Sequence, residues 1–211
     1  LPTKGGPNDV GFDYFFGISA SLDMSPYCFI ENRRTVGIPE IRTPRTRSLV
    51  MNQVAGVKTK DFKLNDVLPK TTAKAIDWIN RQAESGKRFF AYLPLNAPHL
   101  PVVPNQQFIG MSRAGAYGDF VHEVDHQVGE ILQALRRNKI EDNTLVIFTS
   151  DNGGLYHYWK PQEADDVKHY KVRARGQYVQ QFGHQGNAHL RGTKADIWEG
   201  GHRVPFVVRW P

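Results

Sequence analysis

Apolar positions recur at helical spacing in two stretches of this chain. In the first, which Gly86 would end, the recurring positions are Leu68, Thr72, Ile76, Ile79 and Ala83. In the second, they are Tyr117, Phe120, Val121, Val124, Val128, Ile131 and Leu135. A repeat of about three to four residues is typical of a helix with one buried face. The pattern predicts one helix that begins near Asn65 and another over about residues 117–135.

Three apolar runs have the length of strands: "RFFAYLPL" at 88–95, "NTLVIFTS" at 143–150 and "VPFVVRW" at 204–210. Helices alternating with strands are typical of βαβ units, so we expect an α/β fold with a largely parallel central sheet flanked by helices. Residues 1–64 are rich in Gly, Pro and Asn and are predicted to be loop-rich. Residues 65–211 would form the βαβ-type core of the same domain, with a polar insertion at about 155–190.

Composition and charge exclude several classes of protein. The 211 residues are 40% hydrophobic and 23% charged, with a formal net charge of +6. The basic residues are scattered and no recognition motif accompanies them, so a nucleic-acid partner is not expected, whereas an anionic substrate suits this charge. No apolar run approaches the roughly 20 residues of a membrane span. A single cysteine, Cys28, excludes an internal disulfide and a multi-cysteine zinc site.

The segment "HEVDH" at 122–126 matches the H-E-x-x-H pattern of zinc peptidases. At about 100° per residue, His122 and His126 would lie opposite the apolar stripe of the second helix and face solvent. A catalytic zinc needs a sheltered pocket and a third ligand. We therefore interpret these histidines as part of a solvated polar face.

Polar side chains follow two of the predicted strands, and sites in such sheets lie beyond the carboxyl ends of strands. Asp151 and Asn152 offer hard oxygen ligands suited to Ca²⁺ or Mg²⁺, although "DNGG" is also an ordinary turn sequence. His99 lies in the proline-rich loop "NAPHLP", where it could donate a hydrogen bond or a proton to an anion. An ordinary surface histidine is the alternative. Lys194, in "LRGTKADIWEGG", could contact an anionic group or could be an exposed surface lysine.

Four segments, in chain order, resemble motifs of the sulfatase family of the alkaline phosphatase-like superfamily. "GFDYFFG" at 11–17 resembles the segment after the family's first catalytic half, and "APHLP" at 97–101 resembles its A-P-H-x-P loop. "FTSDNGG" at 148–154 is similar to its metal-binding strand end, and 190–211 to its L-R-G-x-K…W-E-G-G-x-R-V-P segment. The resemblance covers nearly the whole chain and implies part of an alkaline phosphatase-like sandwich.

The resemblance also implies roles for individual residues. Asp151 and Asn152 would be two ligands of a single Ca²⁺, with Mg²⁺ the less expected ion. His99 would bind the sulfate ester and its leaving oxygen, and Lys194 would contact the sulfate group. Further residues are expected to line the substrate pocket: His184, Asn187, His189, His157 and Asp23. For His157 and Asp23, the role of an ordinary polar loop residue is at least as plausible.

Other family features are not found in the sequence. The family's nucleophile is a formylglycine made from a C/S-x-P-S-R motif, which is absent, and Cys28 lacks that context and is interpreted as a small apolar residue. We therefore expect the chain to be the central portion of a sulfatase catalytic domain, inactive as an isolated fragment. The missing remainder of the same protein is then a possible partner.

Other functions and the location remain open at this point. A phosphoesterase or phosphotransferase of the same superfamily is one alternative, and a non-catalytic module that binds sulfated glycans is another. The chain does not reveal its location, although the family implies a periplasmic, secreted or lysosomal protein.

Overall fold

Two long helices form the centre of the structure, a computed structural model that describes residues 1–155 and 179–210. Helix α1 spans Val67–Glu84 and helix α2 spans Gly115–Arg137, and the two pack against each other. Gly86, just beyond α1, adopts a positive φ of 65°, which glycine tolerates best. Both predicted helices are thereby confirmed.

Short antiparallel strands fill the chain before α1. They are β1 (Phe16–Ile18), β2 (Phe29–Glu31), β3 (Arg34–Thr35), β4 (Ile41–Thr43), β5 (Thr46–Arg47), β6 (Asn52–Gln53) and β7 (Gly56–Lys58). β1, β2 and β3 form one sheet, β4 pairs with β7, and β5 pairs with β6. Irregular segments connect these pairs, as the Gly- and Pro-rich composition predicts.

Two strands follow α2 and confirm two of the predicted strands. β8 spans Val146–Thr149 and β9 spans Phe206–Arg209, and a short helix, α3 (Glu199–His202), precedes β9. β8 and β9 are antiparallel, with Val146 opposite Arg209 and Thr149 opposite Phe206. Short 3-10 helices occur elsewhere, at Pro7–Asp9, Leu64–Asp66, Gln106–Phe108 and Glu141–Asn143.

The prediction of a strand over 88–95 is wrong for the described structure. These residues are in irregular extended chain, with Phe90 74% and Tyr92 67% exposed. A strand needs a hydrogen-bonded neighbour, and none of the described strands pairs with this segment. The expected parallel pairing is consequently not formed among the named strands within 1–155 and 179–210, which all pair antiparallel.

Two apolar clusters hold the elements together. The first joins α1 and α2 to the loop after residue 96 through Leu68, Ala97, Leu100, Val102, Phe120, Val124 and Val179. The second, beneath the short strands, consists of Leu22, Tyr27, Phe29, Phe62 and Val67. The loop that carries His99 is thus anchored to both helices by the buried side chains on either side of it. Among the described helices, none has the length and apolarity needed to cross a membrane.

Cys28 lies next to the second cluster and is fully buried. Its burial raises the pKa of the thiol above the ordinary value, which keeps it protonated and unreactive. The interpretation of Cys28 as a small apolar residue is confirmed by this position.

Candidate functional site

The end of strand β8 is held in place by one side chain from a distant part of the sequence. The Gly154 N–H donates to Asn187 Oδ1 at 2.9 Å, and Asn187 Nδ2 donates to the Gly154 carbonyl at 3.1 Å. The same Nδ2 donates to the Gly192 carbonyl at 2.8 Å. Asn187, which the sequence placed at the substrate pocket, therefore joins the "SDNGG" segment to the loop that leads to Lys194.

Main-chain hydrogen bonds complete this junction. The Lys194 N–H donates to the Gly154 carbonyl at 3.3 Å, and the Gly153 N–H donates to the Gly201 carbonyl at 2.9 Å. A Cβ built at Gly153 would collide with the Gly200 carbonyl, so the backbones approach more closely than any side chain allows. The strand end, the Lys194 loop and the start of α3 thus form one compact unit.

Asp151 and Asn152 lie at the outer side of this unit. Asp151 is exposed, and none of the described residues donates a hydrogen bond to its carboxylate. Asn152 donates through Nδ2 to the Gly153 carbonyl at 3.0 Å, which leaves Oδ1 as an acceptor. Two hard oxygens on a fixed backbone fit a Ca²⁺ ion, which takes about six to eight oxygen ligands. The other ligands would come from groups beyond these two residues.

His99 lies exposed on the loop after the extended segment. The ring Nδ1 of His99 is 2.7 Å from the Leu100 carbonyl. The main-chain N–H of His99 donates to the Asn96 carbonyl at 3.2 Å. Because a carbonyl only accepts, a hydrogen bond there requires the proton on Nδ1 and leaves Nε2 for another partner. Leu155, directly after the "SDNGG" segment, packs against the same apolar cluster as Leu100. One cluster therefore supports both candidate segments.

Lys194 is half-buried in a tight loop. Asp196 accepts hydrogen bonds from the Thr193 N–H at 2.8 Å and the Thr193 hydroxyl at 3.3 Å, and the Arg191 guanidinium stacks 3.6 Å above the Trp198 ring. These contacts fix the backbone on both sides of the lysine. No described acidic group forms an ion pair with the Lys194 ammonium, which is therefore available to an anion.

The remaining site residues predicted from the sequence lie in different parts of the fold. The His184 ring lies 5.8 Å from the Tyr117 ring, its Nε2 is buried without a hydrogen bond to described residues, and burial lowers its pKa. His189 is exposed in the same segment as Asn187. Asp23 belongs to the region before α1, where Ser21 and Asn52 donate to its carboxylate. His157 lies outside the described residues.

The histidines of "HEVDH" are exposed on α2, as their helical phase predicts. The glutamate between them is the unexpected residue, since Glu123 is fully buried. It accepts hydrogen bonds from the Asn105 N–H at 2.8 Å and from Asn105 Nδ2 at 2.6 Å. Glu123 therefore anchors the loop that follows His99, and its carboxylate is occupied by Asn105.

Asn96, at the start of the His99 loop, is a residue that sequence reasoning missed. Both its Nδ2 and Oδ1 atoms are buried and make no hydrogen bond to the described residues. Such a group is rare in folded proteins because its desolvation is not compensated. Its position beside a strand-like run was the only sequence signal that could have identified it.

Comparisons with known proteins show the family to which the chain belongs. The sequence model of the sulfatase family matches residues 2–211. An N-acetylgalactosamine-6-O-sulfatase of Bacteroides thetaiotaomicron is 31% identical over 96% of this chain and 43% of its own length. The N-acetylgalactosamine-6-sulfatase of Canis lupus familiaris is 33% identical over 95% of this chain and 33% of its own. The chain thus spans less than half the length of these relatives.

Solved structures show the same relationship. A Bacteroides thetaiotaomicron structure, described with the metabolism of multiple glycosaminoglycans, has a TM-score of 0.75 at 28% identity, over 99% of this chain and 47% of its own. A sulfatase of Pseudoalteromonas sp. has a TM-score of 0.69 at 23% identity, over 97% of this chain and 39% of its own, and shows the fold alone. The predicted α/β fold of the alkaline phosphatase-like class is confirmed. With a family model that matches almost every residue, the chain belongs to the sulfatase family.

Proposed function

We propose that the protein hydrolyses sulfate esters of carbohydrates, with a 6-sulfated N-acetylgalactosamine as the first substrate to test. The observation that carries the proposal is the junction at Asn187, which holds the "SDNGG" strand end against the Lys194 loop. A carboxylate, an amide and a cationic side chain are thereby presented by one compact unit. The names of the relatives support sulfated sugars as the substrate class.

Asp151 and Asn152 would hold Ca²⁺, with Mg²⁺ the less favoured ion. Their oxygens are hard ligands without competing hydrogen bonds from described residues. Ca²⁺ takes more protein oxygens in less regular geometry, whereas Mg²⁺ demands a near-octahedral set and usually keeps several waters. A bound Ca²⁺ would offset the negative charge of the sulfate oxygens. The nucleophile expected from the family, a formylglycine, has no counterpart motif in these 211 residues.

His99 and Lys194 would act on the ester itself. The free Nε2 of His99, when protonated, can donate a proton to the leaving sugar oxygen, because the Leu100 carbonyl holds the ring by Nδ1. The Lys194 ammonium can bind a sulfate oxygen and stabilise the charge that develops during transfer. Fixed backbones on both loops keep these groups in position without reorganisation.

Sulfate release from N-acetylgalactosamine 6-sulfate by the full-length protein tests these roles. We expect His99→Ala and Lys194→Ala each to lower kcat by about 10²–10³-fold. His122→Ala and Lys87→Ala are matched controls, because both residues are exposed and belong to other parts of the fold. Unchanged turnover in both site variants would refute the assignment.

Metal dependence is tested separately. We expect chelation to abolish turnover and Ca²⁺ to restore it better than Mg²⁺. Calorimetry gives a readout that does not depend on activity, and Asp151→Asn is expected to weaken Ca²⁺ binding by at least about tenfold. Asp125→Asn, on the exposed face of α2, is the matched control. Equal Ca²⁺ affinity in the Asp151→Asn and unsubstituted proteins would exclude Asp151 as a ligand.

A further inference from the structure

A basic cavity lies beside the loop that carries His99. It is open to solvent, its volume is about 660 Å³, and it is bordered by the β4–β7 pair, the turn before α1 and residues Val103 and Pro104. Arg42, Lys58 and Lys63 line it, and no Asp or Glu is among the described residues that form it. Cations concentrated in a cleft raise the local concentration of anions and attract anionic ligands.

The main chain fixes the two lysines on either side of this cavity. The Tyr27 N–H donates to the Val57 carbonyl at 2.8 Å, and the Tyr27 carbonyl accepts from the Thr59 N–H at 3.1 Å. These bonds flank Lys58. The Phe62 N–H then donates to the Thr59 carbonyl at 3.2 Å and closes the turn before Lys63. The backbone positions of both lysines are therefore set, and their side chains reach the cavity from fixed points.

The cavity and the candidate site share one stretch of chain, since Val103 of the lining is four residues after His99. Asn105 Nδ2 donates to the Asn65 carbonyl at 2.7 Å, and the Asn105 N–H donates to buried Glu123. These contacts hold the turn before α1 against Val103 and Pro104, which directly continue the His99 loop. Four Cα–Cα steps place Val103 within about 15 Å of His99, a distance that an oligosaccharide can span.

Several polar groups of the lining have no partner among the described residues, and two aromatic rings lie beside them. Arg42, Lys58 and Lys63 form no ion pair with described residues, and the buried Thr43 hydroxyl makes no hydrogen bond to them. The Tyr27 and Phe62 rings, 6.3 Å apart, form the apolar part. A volume of this size is typical of a small-molecule site, and cations beside an apolar surface suit a sugar with an anionic substituent.

We propose that this cavity is a second subsite of the enzyme, which binds a carboxylate or sulfate group on a sugar near the one whose sulfate is removed. The inference rests on the proposed sulfatase function and adds a preference for charged oligosaccharides over single sugars. Lys58 and Lys63 provide the specificity, since both line the cavity from a fixed backbone and neither forms an ion pair with a described residue.

Kinetics of the full-length protein test the subsite. The substrates are a chondroitin 6-sulfate tetrasaccharide, its carboxyl-reduced form and N-acetylgalactosamine 6-sulfate. We expect the double variant Lys58→Gln/Lys63→Gln to raise KM for the tetrasaccharide about tenfold with kcat unchanged. KM for the single sugar should not change. If the effect disappears with the carboxyl-reduced form, the bound group is the uronate carboxylate, and if it persists, the group is a sulfate.

Two control variants distinguish the effect of charge in the cavity from the effect of the protein's net charge. Lys60→Gln removes the same charge from an exposed residue outside the lining and should behave like the unsubstituted protein. Lys58→Arg/Lys63→Arg keeps the charge and should retain most of the tetrasaccharide affinity. The subsite is refuted if the double Gln variant has the unsubstituted KM for the tetrasaccharide. If no sulfate is released from any substrate, the proposed function fails, and calorimetric binding of the tetrasaccharide to the same variants still decides the subsite.

Discussion

Asn187 and Gly154, 33 residues apart, are joined by reciprocal hydrogen bonds that resemble the pairing of two strands. The Asn187 amide accepts from the Gly154 N–H and donates to the Gly154 carbonyl, at 2.9 and 3.1 Å. A side chain thus replaces a neighbouring strand at the point where β8 ends. The Gly154 N–H is thereby paired, the Gly154 carbonyl gains a second donor beside the Lys194 N–H, and Asp151 and Asn152 are held on a fixed segment.

Asn187→Ala is expected to loosen this segment. The substitution removes at least the three hydrogen bonds that Asn187 makes to Gly154 and Gly192, and it should lower the free energy of unfolding by about 1–3 kcal/mol. It should also weaken Ca²⁺ binding, because Asp151 and Asn152 lose their support. Denaturant unfolding and calorimetry of the full-length protein measure the two effects. Gln185→Ala changes an exposed neighbour and should alter neither value, whereas an unchanged Asn187→Ala protein would show that the pairing contributes nothing.

Gly153→Ala is expected to separate the strand end from the start of α3. A methyl group at Gly153 would overlap the Gly200 carbonyl, which is backbone and cannot rotate away. The free energy of unfolding should fall by more than the roughly 0.5–1 kcal/mol by which Gly-to-Ala replacements usually change it. Gly6→Ala is the control, since a Cβ there meets nothing within 4 Å. Equal unfolding midpoints for the two variants would contradict the close approach.

The sequence located the helices and the β8 and β9 strands, because each depends on local patterning, whereas the segments of the candidate site were predicted from short motifs. Apolar periodicity identifies a buried face whatever the face contacts, so both helices were predicted correctly. The same pattern over 88–95 indicated a strand, but strand formation needs a neighbour, and a partner cannot be read from one segment. The role of Asn187 was likewise hidden, since a side chain that binds distant backbone leaves no periodic signal.

Glu123 shows how burial of a charged residue escapes prediction. Its phase on α2 is set by the helix, yet its burial depends on Asn105, which lies 18 residues earlier. Glu123→Ala is expected to lower the free energy of unfolding by about 3 kcal/mol, because the Asn105 N–H and Nδ2 lose an acceptor in a buried place. Denaturant unfolding of the full-length protein measures this value.

Two further variants test whether the hydrogen bonds of Glu123 matter rather than its charge. Glu123→Gln keeps one acceptor and should fall between the unsubstituted protein and Glu123→Ala. Asp125→Ala removes a carboxylate from the exposed side of the same helix and should change stability by no more than about 0.5 kcal/mol. If Asp125→Ala and Glu123→Ala had equal free energies of unfolding, the hydrogen bonds between Glu123 and Asn105 would contribute nothing to stability.

His184 should make stability depend on pH in a predictable direction. Burial against Tyr117 lowers the pKa of the imidazole, so the folded protein favours the neutral ring. The unfolded chain, with an ordinary pKa of about 6.5, binds the proton more readily. The stability associated with neutral His184 is therefore complete above that pH and declines as the pH falls through it. The decline ends once the pH is below the lowered pKa of the folded state.

His184→Gln removes this titration and should flatten the fall in unfolding free energy between about pH 7.5 and pH 5. His189→Gln changes an exposed histidine of the same segment and should leave the pH profile as it is. The comparison relies on the difference between each variant and the unsubstituted protein, because other groups titrate equally in all three. If the His184→Gln and unsubstituted profiles run parallel over this range, the neutral ring is not what the fold prefers, and its contact with Tyr117 carries no pH-dependent stability.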